Sequence, residues 1–350
     1  MHRDQLRATL LTVNYPPVDG GVSRYYGEIV RLCPGITVPG WTALPPLPTS
    51  PSGIRVRWKE IVWARKAAKG GRNGIPILAG QLHLALGVLS AGRRPKVFLH
   101  GGEWNSHRLL RPFRNCILMA SAGIIVNSKA TKDRWVPRFF HPKVSVVLPG
   151  LSEFASDELE NQSPANGDSS VFRIVCLSRL SPRKGIDRLI RAVNICNTDA
   201  QEIELHIIGS GSEKIYLETL TCGSTAIQFH GHLDDQEVSH LLRSANIFAL
   251  LPREIEGREA WEGFGIAYLE AAAFGLPILA TDSGGVREAL SPQGSLILAE
   301  DANEYEVAEA IRFLLNSPNK RSAMSTANRS WAKSQTWEFR LASVLDALAP

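Results

Sequence analysis

Residues 171–211 read VFRIVCLSRLSPRKGIDRLIRAVNICNTDAQEIELHIIGSG, and the way this stretch divides decides the fold. Val171–Cys176 and Ile203–Ile208 are short apolar runs that predict strands, and Gly185–Cys196 between them carries helical spacing. Strand, helix, strand implies a parallel pair with its crossover packed on one face. Both strands end in loops that can do chemistry: Leu177–Gly185, with Arg179 and Lys184, and Gly209-Ser210-Gly211.

The alternation continues on both sides. Further strands are expected at Ile227–His230, Ile247–Leu251, Pro277–Ala280 and Ser295–Leu298. Helices are expected near Glu237–Ser244, Gly265–Phe274 and Tyr305–Leu315, the last with apolar residues at Val307, Ala310, Ile311 and Leu314. Upstream, Thr9–Val13, Ile77–Ala79, Lys96–Leu99, Ile124–Val126 and Val144–Leu148 read as strands, with a helix at Gly21–Leu32. Leu44–Pro51 (LPPLPTSP) reads as a proline-rich surface loop. Between the halves, Ser152–Ser170 is polar and acidic, as a linker would be. The expected organisation is therefore a domain over residues 1–151, a linker over 152–170, a second domain over 171–333 and a terminal helix over 334–350 that returns to the first domain. In doubly wound domains ligands sit at the carboxyl ends of the strands, so a cleft between the two sheets is the expected binding place.

Composition limits what such a chain can do. With 350 residues it exceeds a single ordinary core, and 44% hydrophobic against 21% charged residues excludes a disordered chain. The apolar stretch 75–92 is broken by Pro76, Gly80, Gln81, His83 and Gly87, which favours a buried strand and helix over a membrane span. No apolar leader core follows Met1, and the five scattered cysteines form no C-x-x-C pair, so reduced thiols and a cytoplasmic setting are expected. The net charge of +5 conceals an asymmetry: residues 1–150 hold 22 Lys and Arg against 6 Asp and Glu, and residues 151–350 hold 17 against 28. One half is thus suited to an anionic partner, whether nucleic acid, a nucleotide substrate or an acidic membrane.

Four loops carry the chemistry. Asn14–Gly21 (NYPPVDGG) joins the first strand to the first helix, where glycines let backbone N–H groups approach an anion; an ordinary turn has the same sequence. Arg179 and Lys184 occupy positions from which two phosphates of a diphosphate could be held. Gly209-x-Gly211 is a weak signal that needs the others. In Glu262–Ala273 (EGFGIAYLEAAA), one carboxylate lies in a glycine loop and a second, Glu270, on an alanine-rich helix. A buried carboxylate requires donors, and a ribose diol offers two. Asp282–Gly285 follows the next strand with a further anion-binding turn. Asp234-Asp235, ahead of Gln236-Glu237, reads as a helix cap and not as a metal motif.

In this order the loops resemble those of the retaining GT-B glycosyltransferases of glycosyltransferase family 4, among them the phosphatidylinositol mannosyltransferases and related glycolipid and polysaccharide enzymes. The match comprises Pro16-Pro17-x-x-Gly20-Gly21, His100-Gly101, Arg179 with Lys184-Gly185, Gly209-x-Gly211, Gly231, the E-x7-E pair Glu262 and Glu270, and Ser283-Gly284-Gly285. The resemblance implies an α/β, GT-B fold, with two doubly wound Rossmann-like domains facing a central cleft. It implies that Gly20 and Gly21 contact a donor diphosphate neutralised by Arg179 and Lys184, and that His100 touches the donor sugar. Glu262 and the Gly263-Phe264-Gly265 backbone would bind sugar hydroxyls, and Glu270 the ribose. Ser283 and Gly284 would lie near the phosphates, Gly209 would be a further contact to the donor, and Gly231-His232 would lie beside the base.

The implied activity is retaining transfer of a hexose, preferably mannose, from a GDP- or UDP-linked sugar. The acceptor would be lipid-linked or a saccharide, and neither metal nor cofactor is needed. Arg55–Lys69 adds a basic segment in which Trp58, Ile61 and Val62 read as one apolar stripe; Arg57, Trp58, Lys59, Arg65 and Lys66 are candidate contacts to an acceptor or an anionic membrane, while a helix packed in the core fits equally. A second basic cluster is Arg108–Arg114 (RLLRPFR). This places the protein in the cytoplasm, peripherally on the inner membrane face. The alternatives are a sugar-nucleotide epimerase of the same fold and, less favoured because its basic residues interleave with core patterning, a nucleic-acid-binding protein.

Overall fold

The computed structural model describes residues 6–16, 20–39, 54–72, 74–101, 110–161, 171–197, 203–255 and 262–349. The proline-rich loop Leu44–Pro51 lies outside them. The chain divides into two compact units: Met1–Pro149 with Trp337–Pro350, and Gly150–Thr336.

In the first unit, β1 (Ala8–Leu11), α1 (Gly21–Leu32), β2 (Ile36–Thr37), α2 (Ile54–Gly70), β3 (Ile77–Ala79), α3 (Leu82–Ser90), β4 (Lys96–Leu99), α4 (Arg111–Ala120), β5 (Gly123–Val126), α5 (Lys129–Trp135) and β6 (Val144–Val146) follow one another. All strand pairs are parallel and the sheet order is β2-β1-β3-β4-β5-β6. The order reverses between β1 and β3. Two apolar layers cover the sheet: one includes Leu10, Tyr25, Tyr26, Phe98 and Trp337, the other Leu11, Ala64, Leu84, Val97 and Ile124.

In the second unit the elements are α6 (Glu153–Asn161), β7 (Phe172–Leu177), α7 (Ile186–Asn197), β8 (Ile203–Ile208), α8 (Lys214–Thr219), β9 (Ile227–Gly231), α9 (Asp235–Ser244), β10 (Ile247–Leu250), α10 (Ile266–Ala273), β11 (Ile278–Thr281), β12 (Ser295–Leu298), α11 (Glu304–Leu315) and α12 (Pro318–Ala332). This sheet is also parallel, in the order β12-β11-β10-β7-β8-β9, so it reverses between β7 and β10. The βαβ reading of residues 171–211 holds: β7 and β8 pair in register from Phe172↔Ile203 to Leu177↔Ile208. The last helix, α13 (Trp337–Leu348), belongs to the first unit, where it packs on α1 and β6 and buries Trp337, Val344, Ala347 and Leu348.

One expectation is corrected. The segment 152–170 is not simply a linker, because its first part is α6, which packs on α9 and α10. Its buried face is Ala155, Glu158 and Leu159, at helical spacing, but one of the three is an acid. Glu158 is tolerated there because the Arg243 guanidinium donates through Nε and Nη2 to its Oε2, at 2.9 and 2.6 Å. Residues 162–170 lie outside the described part.

The site-forming end of the second sheet depends on Gly185. It closes the 3-10 turn Pro182–Lys184 in the left-handed region, at φ +65°, and a Cβ there would fall on the Leu251 carbonyl at the end of β10. Gly185→Ala is therefore expected to cost about 3 kcal/mol, from the left-handed penalty plus a backbone clash. Denaturant unfolding checks this; an unchanged midpoint would contradict it.

Candidate active site

In open parallel sheets, loops diverge and leave a crevice where strand order reverses. In the second unit that place lies between the loop after β7, residues 178–185, and the chain after β10. Two basic residues from the first loop meet one acid that follows the second strand. Arg183 Nη1 lies 2.8 Å and Lys184 Nζ 2.5 Å from the same Oε2 of Glu262. Lys184 and Glu262 are 8% and 7% exposed, so this is a buried cluster carrying one net positive charge. Burial alone would raise the Glu262 carboxyl, but Lys184 and Arg183 more than offset that and hold it below its ordinary 4.5. Arg179, on the same loop, is exposed, and its guanidinium makes no hydrogen bond or ion pair among the described residues. Partial loss of water around its guanidinium, and the neighbouring Arg183, lower its pKa against the pull of Glu262.

The surrounding backbone is built for close approach. Gly285 N donates to Glu262 O at 2.8 Å, and Gly284, at φ +61°, lies so near Glu262 that a Cβ would overlap its carbonyl oxygen. Ser283 Oγ donates to Glu300 Oε1 at 2.6 Å, and Glu254 N donates to the same oxygen at 2.7 Å. Arg188 ties the strand ends together by donating to the carbonyls of Leu251, Glu300 and Ala302. Gly263 and Phe264 are buried, and Gly265, at φ 97°, is the N-cap of α10. Glu270 is buried on that helix, all of whose residues from Tyr268 to Ala273 are buried.

Gly209 and Gly211 serve packing, since the loop after β8 runs against the carbonyls of Ser178 and Leu180. Gly231, at φ +69°, ends β9 and accepts from Gly209 N at 2.7 Å. Asp234 caps α9 in a reciprocal box with Glu237. Arg183 and Arg188 were not singled out in the sequence; the only signal for Arg183 was its place beside Lys184 in a basic loop.

The first unit is described on its own. Gly20 and Gly21 are exposed at the start of α1, and residues 17–19 lie outside the described part. His100 follows β4, and its Nε2 is 2.6 Å from the Tyr26 hydroxyl, which is also 2.6 Å from the Gly80 carbonyl oxygen. Burial among Tyr25, Tyr26 and Phe98 lowers the His100 pKa to about 4.

The stripe expected on α2 is corrected. Its inward face is Glu60, Ala64 and Ala68, while Trp58 is 64% exposed. Gly87 sets this orientation by admitting the Ile61 backbone and the Ala64 methyl against α3. His83 Nε2 lies 2.5 Å from Glu60 Oε2. Lys59, Arg65, Lys66 and Lys69 are exposed on the same helix as Trp58, and the side chain of Arg57 lies outside the described part. Of Arg108–Arg114, residues 108 and 109 are also outside; Arg111 is exposed, and Arg114 is buried, donating to Asn115 Oδ1. Among the described residues no helix is long and apolar enough to cross a membrane.

Against known proteins, residues 157–331 match the family model described as "Glycosyl transferases group 1". A GDP-mannose-dependent alpha-(1-6)-phosphatidylinositol monomannoside mannosyltransferase of Mycolicibacterium smegmatis is 34% identical over 95% of this chain and 94% of its own. A GDP-mannose-dependent monoacylated alpha-(1-6)-phosphatidylinositol monomannoside mannosyltransferase of Corynebacterium glutamicum is 37% identical over half of this chain and 47% of its own. Among solved structures, Anabaena HepE in complex with UDP and glucose superposes with a TM-score of 0.75 at 17% identity, covering 99% of this chain and 100% of that one. WaaG, described as a glycosyltransferase involved in lipopolysaccharide biosynthesis, superposes with a TM-score of 0.72 at 14% identity, covering 98% and 100%. At such identities the structures speak to fold alone.

Proposed function

The chain belongs to the glycosyl transferases group 1 family, and from that premise we propose that it carries mannose from GDP-mannose to a lipid-linked or saccharide acceptor, with retention at the anomeric carbon and without a metal ion. It is a glycosyltransferase, and its fold is the GT-B arrangement of two doubly wound parallel sheets. The observation that carries the proposal is the buried Arg183–Lys184–Glu262 cluster at the reversal point of the second sheet, with Arg179 beside it.

A nucleoside diphosphate leaving group gathers negative charge on its phosphate oxygens as the anomeric carbon takes on oxocarbenium character. Cations fixed in advance at that place lower the barrier without reorganising. In this reading Arg179 and Lys184 receive the diphosphate, with Gly20 and Gly21 donating backbone N–H groups. Glu262 accepts from a sugar hydroxyl, Glu270 holds the ribose diol, and His100 contacts the donor sugar. The preference for GDP and mannose, and for an acceptor like a phosphatidylinositol mannoside, is supported by the mycobacterial and corynebacterial relatives. The exposed Trp58 among Lys59, Arg65, Lys66 and Lys69 supports peripheral contact with an anionic membrane.

The test is a transfer assay with GDP-mannose and phosphatidylinositol mannoside acceptors in vesicles with and without acidic lipid. Expected are an α-linked product, no loss of turnover with a chelator, and faster transfer on acidic vesicles. Abolition by chelator with rescue by manganese would contradict metal independence. Conversion of the nucleotide sugar with no acceptor present would favour an epimerase instead.

A further inference from the structure

The hydroxyl of Tyr26 lies 2.6 Å from the Gly80 carbonyl oxygen and 2.6 Å from His100 Nε2. A phenol carries one proton, and a carbonyl oxygen can only accept. If that proton pointed to His100, two oxygens would face each other at 2.6 Å with no hydrogen between them. The hydroxyl therefore donates to Gly80, and its oxygen accepts from the imidazole. His100 must supply that hydrogen, so Nε2 is protonated and, in the neutral ring, the lone pair lies on Nδ1.

The surroundings make this arrangement rigid. Tyr26 is fully buried on α1, packed edge-on against Phe98 and the His100 ring. Gly80 ends the strand beside the reversal point of the first sheet, and a Cβ there would press on the Tyr26 ring at 3.1 Å and on Thr12 at 2.8 Å. Gly80 is held in turn by donating its N–H to Leu11 O at 2.8 Å. The phenol thus has a fixed acceptor on one side and the imidazole on the other.

We infer that Tyr26 is a positioning residue: it fixes His100 in the Nε2–H tautomer, so that sugar transfer meets a neutral imidazole whose Nδ1 is an acceptor. The inference rests on the proposed contact of His100 with the donor sugar. In that tautomer Nδ1 can only accept, so a hydroxyl that meets it must donate, whereas the opposite tautomer would make Nδ1 a donor. The charge state agrees with the geometry, because burial keeps this histidine neutral at neutral pH.

The experiment uses the full chain with 15N-labelled histidine, the His100 resonances being assigned by their loss in His100→Gln. The wild type is expected to show a protonated Nε2 and an unprotonated Nδ1 at pH 7. Tyr26→Phe is expected to shift His100 toward a mixture of tautomers and to lower kcat roughly tenfold or more, with affinity for GDP unchanged. A wild-type His100 protonated at Nδ1 overturns the inference even if the variant fails to fold. A Tyr26→Phe protein with wild-type kcat also overturns it. A wild type that transfers nothing from nucleotide sugars would overturn the functional reading, while the tautomer measurement would still decide the chemistry of the Tyr26–His100 pair.

Discussion

Lys184→Ala is expected to weaken GDP binding about 100-fold, equivalent to about 2.7 kcal/mol, and to lower kcat/KM by roughly a thousandfold. Lys184 is one of two cations on Glu262 Oε2, and it is only 8% exposed. Its charge meets Glu262 Oε2, which Arg183 also contacts, so on the proposed binding of a diphosphate the ammonium is the group that can serve both anions while Arg183 stays on the carboxylate. Removing it leaves the diphosphate with Arg179 and takes one cation from a buried acid. Stability should fall as well, by about 2 kcal/mol, less than for a buried acid left with no partner because Arg183 stays in place. Isothermal calorimetry with GDP, together with denaturant unfolding, separates the two effects. Wild-type GDP affinity in a folded Lys184→Ala protein would contradict the assigned role.

The second large effect is a loss of stability on mild acidification, centred on His100. Its pKa is lowered from 6.5 to about 4 by burial. Between those values the unfolded chain binds a proton that the folded chain does not, so stability rises with pH across that window and falls as pH drops from 6.5 toward 4. The shift corresponds to about 3 kcal/mol at pH 4 relative to pH 7. His100→Gln removes the titrating group and should flatten this part of the profile, whatever its effect on activity. An acid limb that is identical in the variant would show that other groups carry it. Glu262 acts lower on the scale: its depressed pKa contributes stability that is present above 4.5 and lost as pH falls through its folded value.

Much of this architecture was legible in the residues. Apolar runs of four to six residues between helical patterns gave parallel strands because a crossover permits little else, and the β7–β8 register runs unbroken where those runs were read. The period Val307, Ala310, Ile311, Leu314 predicted the buried face of α11, which the structure starts with a reciprocal cap between Asn303 and Glu306.

Where reading by composition failed, a charge had been buried with a distant partner. Glu158 disguised the inward face of α6 because Arg243, which neutralises it, is 85 residues away. On α2, Glu60 occupies an inward position beside His83, and Trp58, which fitted a membrane-facing and a core-packed helix equally, faces outward. The site shows the same division. Lys184 and Glu262 were identified from their loops, but their direct contact, and the share Arg183 takes in it, came only from the fold that brings residues 79 apart within 2.8 Å. The Tyr26–His100 bond, between a helix and a strand end 74 residues apart, had no local signature at all.

We propose that a nucleoside-diphosphate sugar binds at the reversal point of the second sheet through Arg179, Lys184, Glu262 and Glu270. This is tested most directly by calorimetric titration of the full chain with GDP-mannose, GDP and UDP-glucose. Saturable binding of GDP-mannose and GDP is expected, with weaker binding of UDP-glucose and loss of affinity for all three in Glu270→Ala. Failure of the wild-type protein to bind any of them, or undiminished GDP affinity in a folded Glu270→Ala protein, would contradict it.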